Sequence, residues 1–266
     1  AFRAEDFSDF GTHVDGKLSL RWQATETLAY RSSVSTGFKA PTVGQSNIIN
    51  ISTKFGLNGL EDQITLPPTN SVAVKLGARE LTPEESVNFS VGLMASLSPA
   101  AQLTLDFYQI YLADRISTTS AIELDEQTIG LLLEQGFEEA ETYRSAKFFT
   151  NDFDTRTRGL DLVFNWQFDW QGWQHQLLAT LNWTDTQVIR VTAQDYEQRD
   201  GAVNLTTQRI RMLEDNLPDY RANISLTQSF GAHQLAWQVH YFGAFYEDHL
   251  DASAGYDIES SGRFTL

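Results

Sequence analysis

Stretches of this chain alternate apolar and polar residues with a period of two, and the segments joining them are alternately short and long. Leu18, Leu20 and Trp22 share one face of "LSLRW". Val87, Phe89, Val91, Leu93, Ala95 and Leu97 face away from Asn88, Ser90, Gly92, Met94 and Ser96. Leu160, Leu162, Phe164, Trp166 and Phe168 oppose Asp161, Val163, Asn165 and Gln167, and the pattern continues in Leu177–Trp183 and Leu235–Tyr241. Successive residues of a strand point to opposite sides, so each stretch reads as a strand with one apolar and one polar face. Turn-type residues make short connections at 23–27, 98–102, 169–173 and 230–233; long ones cover 39–82, 114–155, 187–217 and the chain from about 247.

Loops of that length after every second strand are unusual in a soluble sandwich. They are expected of an antiparallel up-and-down transmembrane β-barrel, with strands of about ten residues, short turns at one end and long loops at the other. The pattern accounts for about nine or ten strands, an all-β partial barrel. A wet interior also accounts for "YRSSVSTGF", where Ser33 and Ser35 sit at positions a soluble protein would fill with core. No apolar run reaches the roughly 18 residues of a spanning helix, a test that barrel strands escape. One loop shows helical spacing: Ile129, Leu132 and Leu133, with Gly136 as a stop, predict a helix over 124–135 that packs within its own loop.

Acids outnumber bases 35 to 19, for a net charge of -16, which sets nucleic-acid binding aside and suits solvated loops. There is no cysteine, hence no disulfide and no thiolate chemistry. No G-x-S-x-G, His-Glu-x-x-His or Gly-rich phosphate loop is present, and nothing points to an enzyme or to a cofactor. The first residues, "AFRAEDFSDFG", lack the basic and apolar regions of a signal peptide, and "DIESSGRFTL" stops as a strand pattern begins. The chain therefore reads as a piece of a larger barrel, with open edges that are prone to aggregation.

Several segments resemble the barrel of TonB-dependent outer-membrane receptors. They are the Gly37-Phe38-Lys39-Ala40-Pro41 box, the Pro83-Glu84-x-Ser86 block, the strand with Asp106, Tyr108 and Asp114-Arg115-Ile116, the block Asn151, Thr155, Thr157, Gly159 and Asp161, and Pro218 with Arg221. The resemblance covers most of residues 12–266 and implies part of a barrel of about 22 strands with a plugged lumen. On this reading 1–266 is one partial barrel domain, with the plug, the TonB box, the earlier strands and the last strands outside it. The resemblance also implies import of a scarce small molecule, such as an iron-siderophore or an oligosaccharide. The implied partners are the plug, the TonB–ExbB–ExbD complex, and outer-membrane lipid and lipopolysaccharide in a Gram-negative bacterium. Within the motifs, Gly37 and Gly159 are read as easing close approach and Asp161 as bonding within the wall.

Ligand capture in such a barrel falls to the long loops and the upper lumen. The aromatic candidates there are Phe55, Tyr143, Phe148, Phe149, Tyr196 and Tyr246; the cationic ones are Lys54, Arg144, Arg190, Arg209 and Arg211. Haem receptors of the family carry a histidine between the Ala-Pro and Pro-Glu boxes, and none lies between Thr42 and Thr82. His175 and His233 fall at short turns, His240 faces the lumen, and His249 sits beside Glu247, Asp248 and Asp251 as a charged loop tip with no metal assigned. A soluble or surface all-β module binding carbohydrate or a cell surface is the alternative. The two differ in what covers Leu160, Leu162, Phe164, Trp166 and Phe168: lipid in the first case, a second sheet in the other.

Overall fold

A computed structural model describes residues 1–8, 10–56, 59–191, 207–248 and 257–265. The outward alternation of the sequence becomes one open antiparallel sheet of ten strands, in which nearly every strand pairs with its sequence neighbours in the wall. In chain order its members are β1 (Phe2–Phe7), β2 (Gly11–Gln23), β3 (Leu28–Lys39), β6 (Glu84–Ser98), β7 (Ala101–Thr118), β10 (Phe149–Trp170), β11 (Trp173–Val191), β12 (Tyr220–Phe230), β13 (His233–Phe242) and β16 (Arg263–Thr265). The remaining elements lie in the long connections: α1 (Val43–Asn47), β4 (Asn50–Gly56), β5 (Gly59–Thr65), α2 (Ser71–Lys75), β8 (Ile122–Glu123), α3 (Glu126–Glu134), β9 (Tyr143–Lys147), α4 (Thr207–Asp215), β14 (Phe245–Asp248) and β15 (Asp257–Ser260).

The short turns fall where the sequence placed them. Gln171 and Gly172, both at positive φ, close the β10–β11 hairpin, because a left-handed pair matches the twist of the flanking strands across two residues. Aromatic pairs mark the same end: Trp22 on Tyr30, Trp166 on Phe168 and Trp173 on Phe230, all stacked. Above them the outer face is an apolar belt. Leu20 is 64% exposed and Trp237 62%, so among the described residues no second sheet covers this face.

Three strands outrun the sequence reading. β7, β10 and β11 have 18, 22 and 19 residues rather than about ten, so the loops begin later than expected, at 119 and 192. The extension starts where the outer face turns polar, at Gln109, Arg158 and Asp185, above Phe107, Leu160 and Trp183. A hydrogen-bonded ladder can continue in water beyond the belt, and the apolar period stops reporting it. The first residues, assigned to no strand by pattern, form β1 and the start of β2.

The largest departure lies in the long connections. Residues 40–83 and 119–148 fold together as a cap with a sheet of its own, ordered β4-β5-β9-β8, in which β5 and β9 run parallel. The hydrophobic core of the cap holds Ile64, Leu66, Val72, Ala73, Ile122, Leu132, Tyr143, Ala146 and Phe148. α3 matches the predicted helix. Asp125 caps its first turn by accepting from the Thr128 N–H at 2.7 Å; the Thr128 side chain and then this N–H hold the carboxyl below its ordinary pKa, and Leu132 enters the cap core.

The family motifs join these parts. Ser86 donates to the Gly37 carbonyl at 3.1 Å, and a Cβ on Gly37 would lie 3.0 Å from that hydroxyl. Phe38 stacks on His13, Lys39 reaches Glu84 at 3.5 Å, and Glu84 accepts the Ile116 N–H at 2.9 Å. Asn151 ties cap to wall, donating to the carbonyls of Thr82 and Asp114 while accepting from the Thr82 N–H. Pro41 is buried and Ala40 half-buried beside the start of the cap.

Gly159 is the most constrained of them. Tyr108 lies across it and bonds Thr184 two strands away at 3.0 Å, and a Cβ on Gly159 would meet the Tyr108 ring at 2.1–2.6 Å. Aromatic cover of a glycine stiffens the strand that glycine weakens. Gly159→Val is expected to displace Tyr108 and cost about 1–3 kcal/mol, as overpacking does. The check is the urea midpoint of the heat-modifiable folded form; an unchanged midpoint would contradict this role for the glycine.

Candidate functional site

On the inner face the polar positions of neighbouring strands fall into register as lateral locks. Arg31 of β3 reaches over Gly92 of β6 to Asp106 of β7, with Nε to Oδ1 at 2.7 Å and a second bond from Nη2 to Oδ2. Gly92 is required for this, since a Cβ there would stand 2.0 Å from Asp106 Oδ1. Asn182 donates to Asp161 at 2.6 Å, Thr157 and Thr186 bond at 2.9 Å, and Ser33 and Ser90 bond at 2.9 Å. Around the first two locks opens a cleft of about 590 Å³, lined by Arg31, Asp106, Asp161, Asn182, Arg221 and His240 among others.

On the outer face, above the belt, Arg190 donates from Nε to Asp154 at 2.6 Å and from Nη2 to Asp154 and Asp114 at 2.7 and 2.8 Å. Asp154 also accepts from the Tyr111 hydroxyl at 2.8 Å and the Asp114 N–H at 3.0 Å. Burial alone pushes the Asp154 carboxyl up; Arg190, the Asp114 N–H and Tyr111 outweigh it and hold it below the ordinary value. The bond to that carboxylate raises the Tyr111 phenol in turn. Arg190, expected as a cation for an anionic ligand, is thus already matched by two carboxylates.

At the long-loop end a second cleft, of about 480 Å³, is lined by Arg211, Asp215, Asp219, Phe245, Tyr246 and Glu259 with their neighbours. Arg211 pairs with Glu259 at 2.6 Å and lies 3.9 Å over the Tyr246 ring. Burial, with Asp185 and Asp215 nearby, pushes the Asp219 carboxyl up. α4 carries Arg211 here and is anchored to β11 through Glu214, which accepts the Val188 N–H at 2.8 Å.

The candidates from sequence thus separate. Arg211 and Tyr246 meet at one cleft, although Tyr246 is only 3% exposed and offers no free ring face. Tyr143 at 2% and Phe148 at 0% exposure are core residues of the cap, so neither presents a free ring face; the loops bury aromatics because they fold on each other. Phe149 begins β10, half-buried, and Arg209 reaches Ser117 at 3.4 Å. Arg144 is exposed on the cap. Lys54 and Phe55 lie in β4, but their side chains, like Tyr196, His249 and Asp251, fall outside the described residues. Of the histidines expected at short turns, His175 is buried and stacked on Phe168. Sequence reasoning named Asp106 and Arg221 within separate family segments but missed the inner-face row they form with Arg31 and Asn182. The signal was present as one polar residue in every alternating strand, but the register that aligns them is not written in any single strand.

A family model for the TonB-dependent receptor-like β-barrel matches residues 1–266. A comparison with curated protein sequences finds no match. Among solved structures, the siderophore receptor PirA from Acinetobacter baumannii superposes with a TM-score of 0.57 at 14% identity, covering 99% of this chain and 35% of that one. The ferric enterobactin receptor PfeA from Pseudomonas aeruginosa, in complex with enterobactin, gives 0.58 at 16% identity over 99% and 33%. The RagAB peptide importer gives 0.58 at 12% identity over 94% and 32%. The chain spans about a third of the length of each of these structures. At such identities the likeness is one of fold, and the whole-chain family match carries the assignment. The chain belongs to the TonB-dependent receptor-like β-barrel family.

Proposed function

We propose that this chain forms wall and loops of an outer-membrane active transporter that imports a scarce small molecule, with the short turns in the periplasm and the cap outside. The carrying observation is the division of the sheet into an exposed apolar outer belt and a polar inner face, in a chain matched throughout by the receptor-barrel family. The belt holds the wall in lipid, loops and upper lumen capture the ligand, and a plug drawn by TonB–ExbB–ExbD opens a path along the inner face. The similar structures are described as receptors or importers of siderophores and peptides, so an iron-siderophore leads the ligand classes, with an oligosaccharide next. On this reading the full protein is a barrel of about 22 strands, of which residues 1–266 form one part.

The test is growth of a host bearing the full-length protein on single iron-siderophores or oligosaccharides, with and without a functional TonB. Growth that needs both the protein and TonB supports the reading. Growth on every ligand independent of either would overturn it.

A further inference from the structure

The β2–β3 joint parts halfway up the wall. Its register holds from Gln23 opposite Ala29 to Lys17 opposite Ser35 and stops there, although β2 runs on to Gly11 and β3 to Lys39. Above that point each strand keeps only its other neighbour, β2 pairing with β1 and β3 with β6. The Gly16 N–H, next in line, donates to the Thr36 hydroxyl at 3.1 Å rather than to a ladder carbonyl. Other joints stay closed: β3–β6 is paired up to Lys39 opposite Glu84, and β10–β11 up to Phe153 opposite Val191.

Leu18, Leu20 and Trp22 set the outward parity of β2, and Val34 and Thr36 that of β3, so His13 belongs to the inner set and Phe38 to the outer one. Their rings are nevertheless stacked at 4.3 Å, with Phe7 edge-on to Phe38 at 5.5 Å. Side chains of opposite faces meet in this way where one strand lies over the other. The upper β1–β2 hairpin therefore laps the outer surface of β3 instead of abutting its edge. Gly16 and Gly37 stand at the crossing, as glycines do where strands bend and backbones approach. The lap encloses a slot of about 230 Å³ that touches both faces of the wall: Phe38, Val87 and Tyr111 line it from the outer face, His13, Asp15 and Ser86 from the inner one. Its outer mouth lies beside Val34 and Val87, exposed members of the apolar belt. The lining thus grades from apolar side chains toward lipid to imidazole, carboxylate and hydroxyl toward the lumen.

We infer that the lap is a side port for a single-chain amphiphile, whose alkyl tail enters from the outer leaflet between Val87 and Phe38 while its polar head reaches the inner face at His13, Asp15 and Ser86. The β1–β2 hairpin is the flap of this port, hinged at Lys17 and Ser35, and the Phe7–Phe38–His13 stack is its clasp. A chain in the slot exchanges lipid for apolar side chains, so it crosses without meeting water until its head does. This rests on the importer reading, which sets the belt in lipid, and deepens it by naming an alkyl-bearing class of ligand.

The experiment is thiol labelling of the full-length protein in lipid vesicles, cysteine-free but for one introduced residue. Ser35→Cys puts the thiol on the inner face at the hinge. Thr186→Cys puts it in the same register row, through Asn88, Ile110 and Thr157, where the ladder is continuous. Each variant is treated with N-dodecylmaleimide, which partitions into the bilayer, and with a sulfonated, water-soluble maleimide. The ratio of alkyl to soluble rate should be about fivefold or more higher at Ser35→Cys than at Thr186→Cys, and Phe38→Ala should raise it a further threefold to tenfold or so by removing one aromatic contact. Phe38→Tyr keeps the stack and should leave the ratio unchanged, all variants being checked for heat-modifiable folding. Equal ratios at the two positions, or a ratio at Ser35→Cys indifferent to Phe38→Ala in the folded protein, would overturn the port. The readout needs neither TonB nor an imported nutrient, so its failure is distinct from failure of the growth test.

Discussion

Phe148→Ala is expected to open the cap and leave the wall standing. The ring is fully buried in a core shared by residues of both long connections, Ile64 and Leu66 from one and Ile122, Leu132 and Tyr143 from the other. Removing a buried phenylalanine costs about 3–5 kcal/mol, through lost transfer free energy and the cavity left behind. A cap this small has little stability to lose, so local unfolding is the expected outcome. The wall draws on a different source, ladders along β6, β7, β10 and β11 and an apolar belt, neither of which includes Phe148. Limited proteolysis should cut within 40–83 and 119–148 in the variant and not in the parent, while both keep heat-modifiable mobility. Equal protease resistance would show that the cap does not depend on this core; loss of the folded band would show that cap and wall are one cooperative unit.

Arg190→Met is expected to destabilise the upper wall by about 2 kcal/mol. Breaking a fully buried pair costs about 3–5 kcal/mol, and the half-exposed guanidinium reduces that here through water. The damage falls on Asp154, which stays buried with Tyr111 and the Asp114 N–H as remaining donors. The same cluster sets a pH dependence. The Asp154 pKa is depressed in the folded state, so its contribution is fully present above the unfolded value near 3.9 and is lost as pH falls through the lower folded value. The parent should therefore lose protection of β10 and β11 amides against hydrogen exchange below about pH 4. Arg190→Met should already be weaker at neutral pH and show a shallower acid limb. An acid limb of equal steepness in both would remove Asp154 from the explanation.

The sequence carried the wall well because outer-face burial and strand period coincide. Leu160 to Phe168 could be read as one apolar side of a strand from their own spacing, and the short turns at 98–102 and 169–173 followed from where the alternation stopped. Capping and helical spacing likewise placed α3, since both signals are local. The upper halves of β10 and β11 were hidden because Arg156, Arg158, Asp185 and Gln187 make the outer face as polar as the inner one. Neither lipid nor core then imprints a period.

What the sequence determined by itself is the class of fold: which residues face outward, where the chain reverses, and which ends carry long loops. The tertiary structure alone decided three things. It joined two distant loops through the parallel β5–β9 pairing and so turned Tyr143 and Phe148 from surface candidates into core. It matched Arg190 to Asp154 and Asp114. It set the register that aligns residues from Arg21 to Arg263 in one row. The physical reason is shared: periodicity is a property of one strand, whereas register and charge pairing are relations between strands far apart in the chain.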